Sequence, residues 1–148
     1  MLFRSQPLRS FAKVRLGNSG NDWSYTLLRD GYSHTLVKDL PIDGLAYRPA
    51  VVHLDGEFWG IHNIREQQDG TWTEAHYGVN RFEVAICEGP GALMEGRAGD
   101  EAKFVALREY IRTNDLTKDS VQRYVEARMD VDNFLLYHAI EIYLANAD

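Results

Sequence analysis

An α+β fold, with a small antiparallel β-sheet leading into a helical region, is predicted by two stretches of this chain. The first runs from Tyr47 to Glu66, where two strand-like segments flank Asp55-Gly56, a pair suited to a two-residue type I′ turn. The second is residues 100–146, where apolar positions recur at helical spacing behind three successive capping residues. Mixed elements early and helices late give the α+β order. One domain over residues 1–148 is expected, β-rich to about residue 99 and helical from about 100.

The first strand is predicted over Phe11 to Leu16, with Phe11 and Val14 as its apolar contributors. Gly17-Asn18-Ser19-Gly20-Asn21 breaks it, and Asp22 is suited to N-cap a helix from about Trp23 to Asp39. Gly31 inside that helix costs about 1 kcal/mol relative to Ala, which points to close packing there. In the hairpin, an unbroken register places Leu54 opposite Glu57, His53 opposite Phe58, Val52 opposite Trp59, Val51 opposite Gly60 and Pro49 opposite His62. Trp59, Ile61, Asn63 and Arg65 then share one face, and Phe58, Gly60, His62, Ile64 and Glu66 the other. Both faces turn from apolar to polar away from the turn, which suggests a strand leaving the core and entering a cleft.

Trp72 to Tyr77 reads as a short helix closed by Gly78, and Arg81 to Ile86 as a further strand. The segment from Glu88 to Gly99 holds four glycines and a proline and reads as a mobile loop. Helices follow at about 100–113, 118–129 and 131–146, started by Asp100, Thr117 and Asp130. The last is apolar nearly all round, a composition that belongs inside a larger body. It runs to Asp148, a carboxylate at the negative end of a helix dipole. Two explanations suit that ending: full-length relatives continue further, or Asp148 is present for chemistry. Both are expected to hold.

The composition is ordinary for a globular protein, with 45% hydrophobic and 26% charged residues. A net charge of −6 without any Lys/Arg cluster argues against nucleic-acid binding. The single Cys87 rules out an internal disulfide framework. No apolar run approaches the roughly 20 residues needed to cross a bilayer. Met1 to Pro7 lacks the apolar stretch of a secretory signal.

His53 and His62 share a hairpin face but stand about 13 Å apart in the unbroken register, too far for one small metal. His34 and His138 are single histidines on mostly apolar helices and suit structural roles. There is no zinc signature, no Gly-x-Ser-x-Gly and no glycine-rich phosphate loop of a common kind, and Cys87 after an apolar strand suits an inert packed thiol. Asn18-Ser19-Gly20-Asn21 before a helix offers backbone N–H groups to an anion, but alone the signal is weak and an ordinary capped turn is the better explanation. Asn63, Arg65 and Glu66 admit two readings. Arg65 is suited to grip a phosphate or carboxylate, with Asn63 adding a donor or a metal-facing oxygen; alternatively Arg65 pairs with Glu66 or another acid to close the strand end.

Several runs in order resemble the CotH kinase family, atypical protein kinases associated with spore coats and cell surfaces. They are Arg15 to Asp22, Leu28-Arg29-Asp30, Tyr47 to Val52, Asp55-Gly56-Glu57-Phe58-Trp59-Gly60-Ile61-His62-Asn63-Ile64-Arg65-Glu66, His76-Tyr77-Gly78, and Asp132-Asn133-Phe134 through Asp148. The resemblance covers nearly the whole chain, and the Asp55 to Glu66 block is its most specific part. It implies a partial atypical protein-kinase-like fold with ATP and a divalent metal, Mg2+ or Mn2+, between a β-rich and a helical lobe. It implies that Asp148 is the catalytic aspartate and that Arg65, Asn63 and Glu66 lie on the strand running towards the nucleotide, Arg65 on phosphate and Glu66 in a supporting ion pair. Metal ligands stay unassigned.

Three departures carry expectations of their own. Gly17 stands where an arginine is expected, and Gln67 where a lysine is common. The family's later Asp-x-Asp-x-Gly segment would fall beyond residue 148, so the chain is expected to be incomplete at both ends and inactive or very feeble alone. The resemblance implies protein substrates in a coat or at a surface, and a spore-coat or extracellular location. A non-catalytic coat or surface interaction module on the same scaffold is the rival. Exposed apolar surface on the last helix would favour self-association.

Overall fold

In the computed structural model, which describes residues 11–146, Asp55 (φ 50°) and Gly56 (φ 88°) both take positive φ. That is the type I′ geometry whose twist matches the flanking strands. The hairpin it closes joins β2 (Tyr47–Leu54) to β3 (Glu57–Glu66), and β1 (Val14–Gly17) pairs on the far side of β3. The sheet is antiparallel with order β1-β3-β2, so β3 is central. Along β1, Val14 pairs with Glu66, Arg15 with Arg65, Leu16 with Ile64 and Gly17 with Asn63.

The hairpin register is not unbroken. Leu54 pairs with Glu57 and His53 with Phe58 as expected, but Val52 pairs with Gly60, leaving Trp59 as an extra residue. This is a β-bulge, accommodated by Gly60 at φ 123°. Beyond it every partner moves by one: Val51 meets Ile61, Ala50 meets His62, Pro49 meets Asn63 and Tyr47 meets Arg65. Bulges depend on twist and packing and leave no mark in a two-residue alternation.

The expected long helix is also interrupted. Gly20–Asp22 forms a 3-10 turn, Leu27 takes a left-handed φ of 61°, and α1 spans only Arg29–Leu36. Asp22 therefore caps no helix beginning at Trp23. Its carboxylate instead accepts from the Arg29 backbone N–H (3.0 Å), supplying an acceptor to the first turn of α1 from seven residues away. The close packing foreseen at Gly31 is present: a Cβ there would lie 2.7 Å from three atoms of the Tyr47 ring. His34 has a structural role, accepting from the Leu45 backbone N–H at 3.1 Å.

The chain divides into two compact units between Gln68 and Asp69. In the second, α2 (Gly70–Tyr77) is capped by Asp69, which accepts from Trp72 N–H at 2.9 Å, and closed by Gly78 at φ 69°. Arg81–Glu83 is a 3-10 turn rather than strand, with Asn80 accepting from Phe82 N–H at 3.0 Å. Strand structure comes later, as β4 (Ile86–Glu88) paired with β5 (Ala92–Glu95), so much of the expected loop is a tight hairpin. Glycine at 91, φ 125°, permits it: a Cβ would lie 2.7 Å from the Val105 side chain.

Three helices complete the unit: α3 (Ala102–Thr113), α4 (Asp119–Glu126) and α5 (Val131–Tyr143). Asp100 and Thr117 do not start them. Asp100 accepts from Arg97 N–H, and Thr117 donates to Asp115. Asp130 does cap α5, accepting from Asn133 N–H at 3.0 Å. Val121 and Val125, one turn apart, are the buried pair of α4, and Tyr110 stacks on Tyr124 at 4.0 Å between centroids. On α5 Ile140 is buried, while Leu135, Ile142 and Tyr143 are exposed, the apolar surface expected on the last helix. The architecture is α+β, with five α-helices among the described residues, and none of them is long and apolar enough to cross a membrane.

Candidate functional site

The polarity gradient of β3 runs opposite to a strand leaving its core. Phe58 and Trp59 near the turn are 66% and 59% exposed, whereas Asn63, Arg65 and Glu66 are 3%, 9% and 3% exposed. Buried polar side chains are the informative exception in a protein interior, because each requires a partner. In this unit Asp22, Asn63, Arg65 and Glu66 are buried, against one buried apolar residue, Ala46, among the described residues.

Period-2 alternation puts Asn63 and Arg65 on one face of β3 and Glu66 on the other. Their face is the one α1 covers, since Tyr47, beside Arg65, packs under Gly31. The acid that meets Arg65 is Asp30 of α1, through Nη1 of the guanidinium. Asp30 is half-exposed and also stands 3.4 Å from His34 Nε2. Arg65 Nε and Nη2 are buried and have no hydrogen-bond partner among the described residues. Those two N–H groups form one edge of the guanidinium, the parallel fork that grips a phosphate or carboxylate. Burial holds Arg65 below the usual arginine range, and the charge of Arg15 opposite lowers it further.

Asn63 is fixed by its neighbours. Its Nδ2 donates to Ser19 Oγ (2.7 Å) and to the Leu27 carbonyl (3.4 Å). Ser19 Oγ donates its single proton to the same carbonyl at 3.1 Å, so it can only accept from Asn63. That sets the amide orientation and leaves Oδ1 as a buried acceptor with no partner among the described residues. Ser19 (φ 71°) and Leu27 (φ 61°), both left-handed, bracket the loop that makes these contacts. An unmet buried polar group costs about 1–3 kcal/mol, more when charged, so four on one face (Arg65 Nε and Nη2, Asn63 Oδ1 and the Tyr47 hydroxyl) mark a site that gains from a ligand.

Asp22 holds the same loop. Thr26 Oγ1 donates to it at 2.6 Å, as do the backbone N–H groups of Arg29 (3.0 Å) and Thr26 (3.2 Å). The Thr26 hydroxyl foremost, then the Arg29 N–H, pull its carboxyl down to about 2. Glu66, on the other face, accepts from Ala46 N–H at 3.0 Å. Asp148, the residue expected to be catalytic, lies outside the described residues, and no group of three or more potential metal ligands occurs among those described.

Asp30, Ser19 and Asp22 were not foreseen as parts of this site. Leu28-Arg29-Asp30 is only a run in the sequence, because the meeting of Asp30 with Arg65 depends on how α1 docks on the sheet.

No curated protein and no solved structure matches the chain. A family model described as "CotH kinase protein" matches residues 2–148. With that match over essentially every residue, the chain belongs to the CotH kinase protein family.

Proposed function

We propose that this protein takes part in ATP-dependent phosphoryl transfer to Ser/Thr hydroxyls of coat or surface proteins, with Arg65 receiving phosphate. The observation that carries this is the buried, unpartnered Nε–Nη2 edge of Arg65, with the Nη1 side already held by Asp30. Phosphoryl transfer is chiefly positioning and charge neutralisation, so a fixed guanidinium at the phosphates is a suitable part. Asn63 Oδ1, unpartnered beside it, suits a donor or cation accompanying that phosphate. Glu66 supports the strand end through Ala46.

ATP fits this donor set. Family membership also suggests a divalent metal, which when bound neutralises the triphosphate; its ligands are not gathered among the described residues. Asp148 is proposed as the carboxylate that orients the acceptor hydroxyl and takes its proton while the hydroxyl oxygen bonds to the γ-phosphorus. The bond from that phosphorus to the β–γ bridging oxygen breaks, and ADP leaves.

The test is incubation of a full-length form of the protein with γ-labelled ATP, magnesium or manganese, and a generic protein acceptor. Label should enter the acceptor, Asp148→Ala should abolish it, and Arg65→Ala should weaken nucleotide binding. Equal incorporation after Asp148→Ala would remove the catalytic role. Absence of both transfer and nucleotide binding would favour a non-catalytic coat or surface module, for which Gly17 in place of an expected arginine is the supporting feature.

A further inference from the structure

We propose that Arg15 is the second arm of a two-arginine clamp, which with Arg65 selects a polyphosphate over a single phosphate. This rests on Arg65 being a phosphate contact. Arg15 pairs directly with Arg65 across β1 and β3, so both side chains start from the same sheet face. Like charges directly opposite destabilise a sheet, and nothing in the hairpin requires this pair. Asp30 supplies one carboxylate, already engaged with Arg65 and close to His34. Asp22 is committed to Thr26 and Arg29, and Glu66 lies on the other face. Among the described residues no carboxylate forms an ion pair with Arg15.

Space is available as well as charge. Gly17, two residues on from Arg15, faces Asn63 across the strands, and a Cβ there would meet nothing within 4 Å. The missing side chain leaves an opening on the same face as the unpartnered Asn63 Oδ1 and the free edge of Arg65. An extended anion with several phosphoryl groups spans this row, from the buried edge of Arg65 outward to Arg15, which is exposed. One phosphate satisfies Arg65 alone. Arg15 thereby fills the cationic role that glycine at position 17 leaves open, from two residues earlier on the same face.

The experiment compares inorganic tripolyphosphate with orthophosphate by titration calorimetry on the whole chain and on Arg15→Ala, Arg15→Lys and Arg65→Ala. Arg15→Ala should weaken tripolyphosphate roughly tenfold, the scale of one charge-assisted hydrogen bond, and leave orthophosphate within about twofold. Arg15→Lys should recover part of the loss. Without ligand, Arg15→Ala should melt slightly above the parent, because a like-charge pair is gone. Unchanged tripolyphosphate binding in Arg15→Ala, or equal weakening of both anions, would overturn the clamp while leaving Arg65 in place. Unchanged binding of both anions in a folded Arg65→Ala protein would overturn the phosphate site itself.

Discussion

Gly31→Ala isolates the contact that seats α1 on the sheet. An added Cβ would lie 2.7 Å from Cγ, Cδ2 and Cε2 of Tyr47, landing on the ring face. Carbon atoms rest at about 3.5–4.0 Å, so the ring or the helix must retreat by roughly 1 Å. Overpacking of this kind costs about 1–3 kcal/mol. Replacing a helical Gly by Ala returns up to about 1 kcal/mol. The net expectation is a loss of about 1–2 kcal/mol, or roughly 3–6 °C in Tm for a chain of this size. Urea titration followed by tryptophan fluorescence measures it. The decisive form is a double-mutant cycle, because in a Tyr47→Ala background the clash is absent and Gly31→Ala should become neutral or stabilising. Additive effects, or a single variant at least as stable as the parent, would show that the ring does not set the helix position. Asp30 precedes Gly31, so a retreating α1 should also loosen the pair with Arg65 and alter phosphate affinity.

Two further predictions concern stability. The Asp22 carboxyl titrates at about 2 in the folded chain against 3.8 unperturbed, so its contribution is full above the unfolded value and lost as pH falls through the folded one. Asp22→Asn should therefore melt below the parent near neutral pH, with the gap closing between about pH 4 and pH 2; a gap independent of pH would refute this. Glu109 and Asp115 are also held low, by Arg112 and by Thr117, but they are common to both proteins and cancel in the difference. Gly78→Ala meets nothing within 4 Å, yet φ is 69°, so a loss of about 1 kcal/mol should come from backbone conformation alone. Chemical denaturation showing no loss would remove that left-handed cap.

Features fixed by a few adjacent residues were legible in the sequence. Asp55-Gly56 demands positive φ at both positions, and Asp130 and Gly78 end helices by local chemistry. Features that depend on distant packing were not. Leu27 breaks the helix drawn through it because its carbonyl serves Ser19 and Asn63, and Arg81–Glu83 follows a turn governed by Asn80. The site divides the same way. Alternation alone placed Asn63 and Arg65 together, while Asp30 and Ser19 reach them only through a docked helix and a folded-back loop.

Trp59, the surplus residue near the hairpin tip, has a consequence at the opposite end of its strand. Were Trp59 paired in the ladder instead of bulged, Arg65 would sit across from Ala46, and Tyr47 would line up with Ile64. One additional residue changes odd to even, and so brings the aromatic plate under α1 into the same row as the cation that α1 must meet. The hairpin thus behaves like a reading frame. Drawing Trp59 into the ladder would shift the partner of a guanidinium roughly 20 Å away by one residue, whereas deleting Trp59 would remove the bulge and leave Tyr47 opposite Arg65.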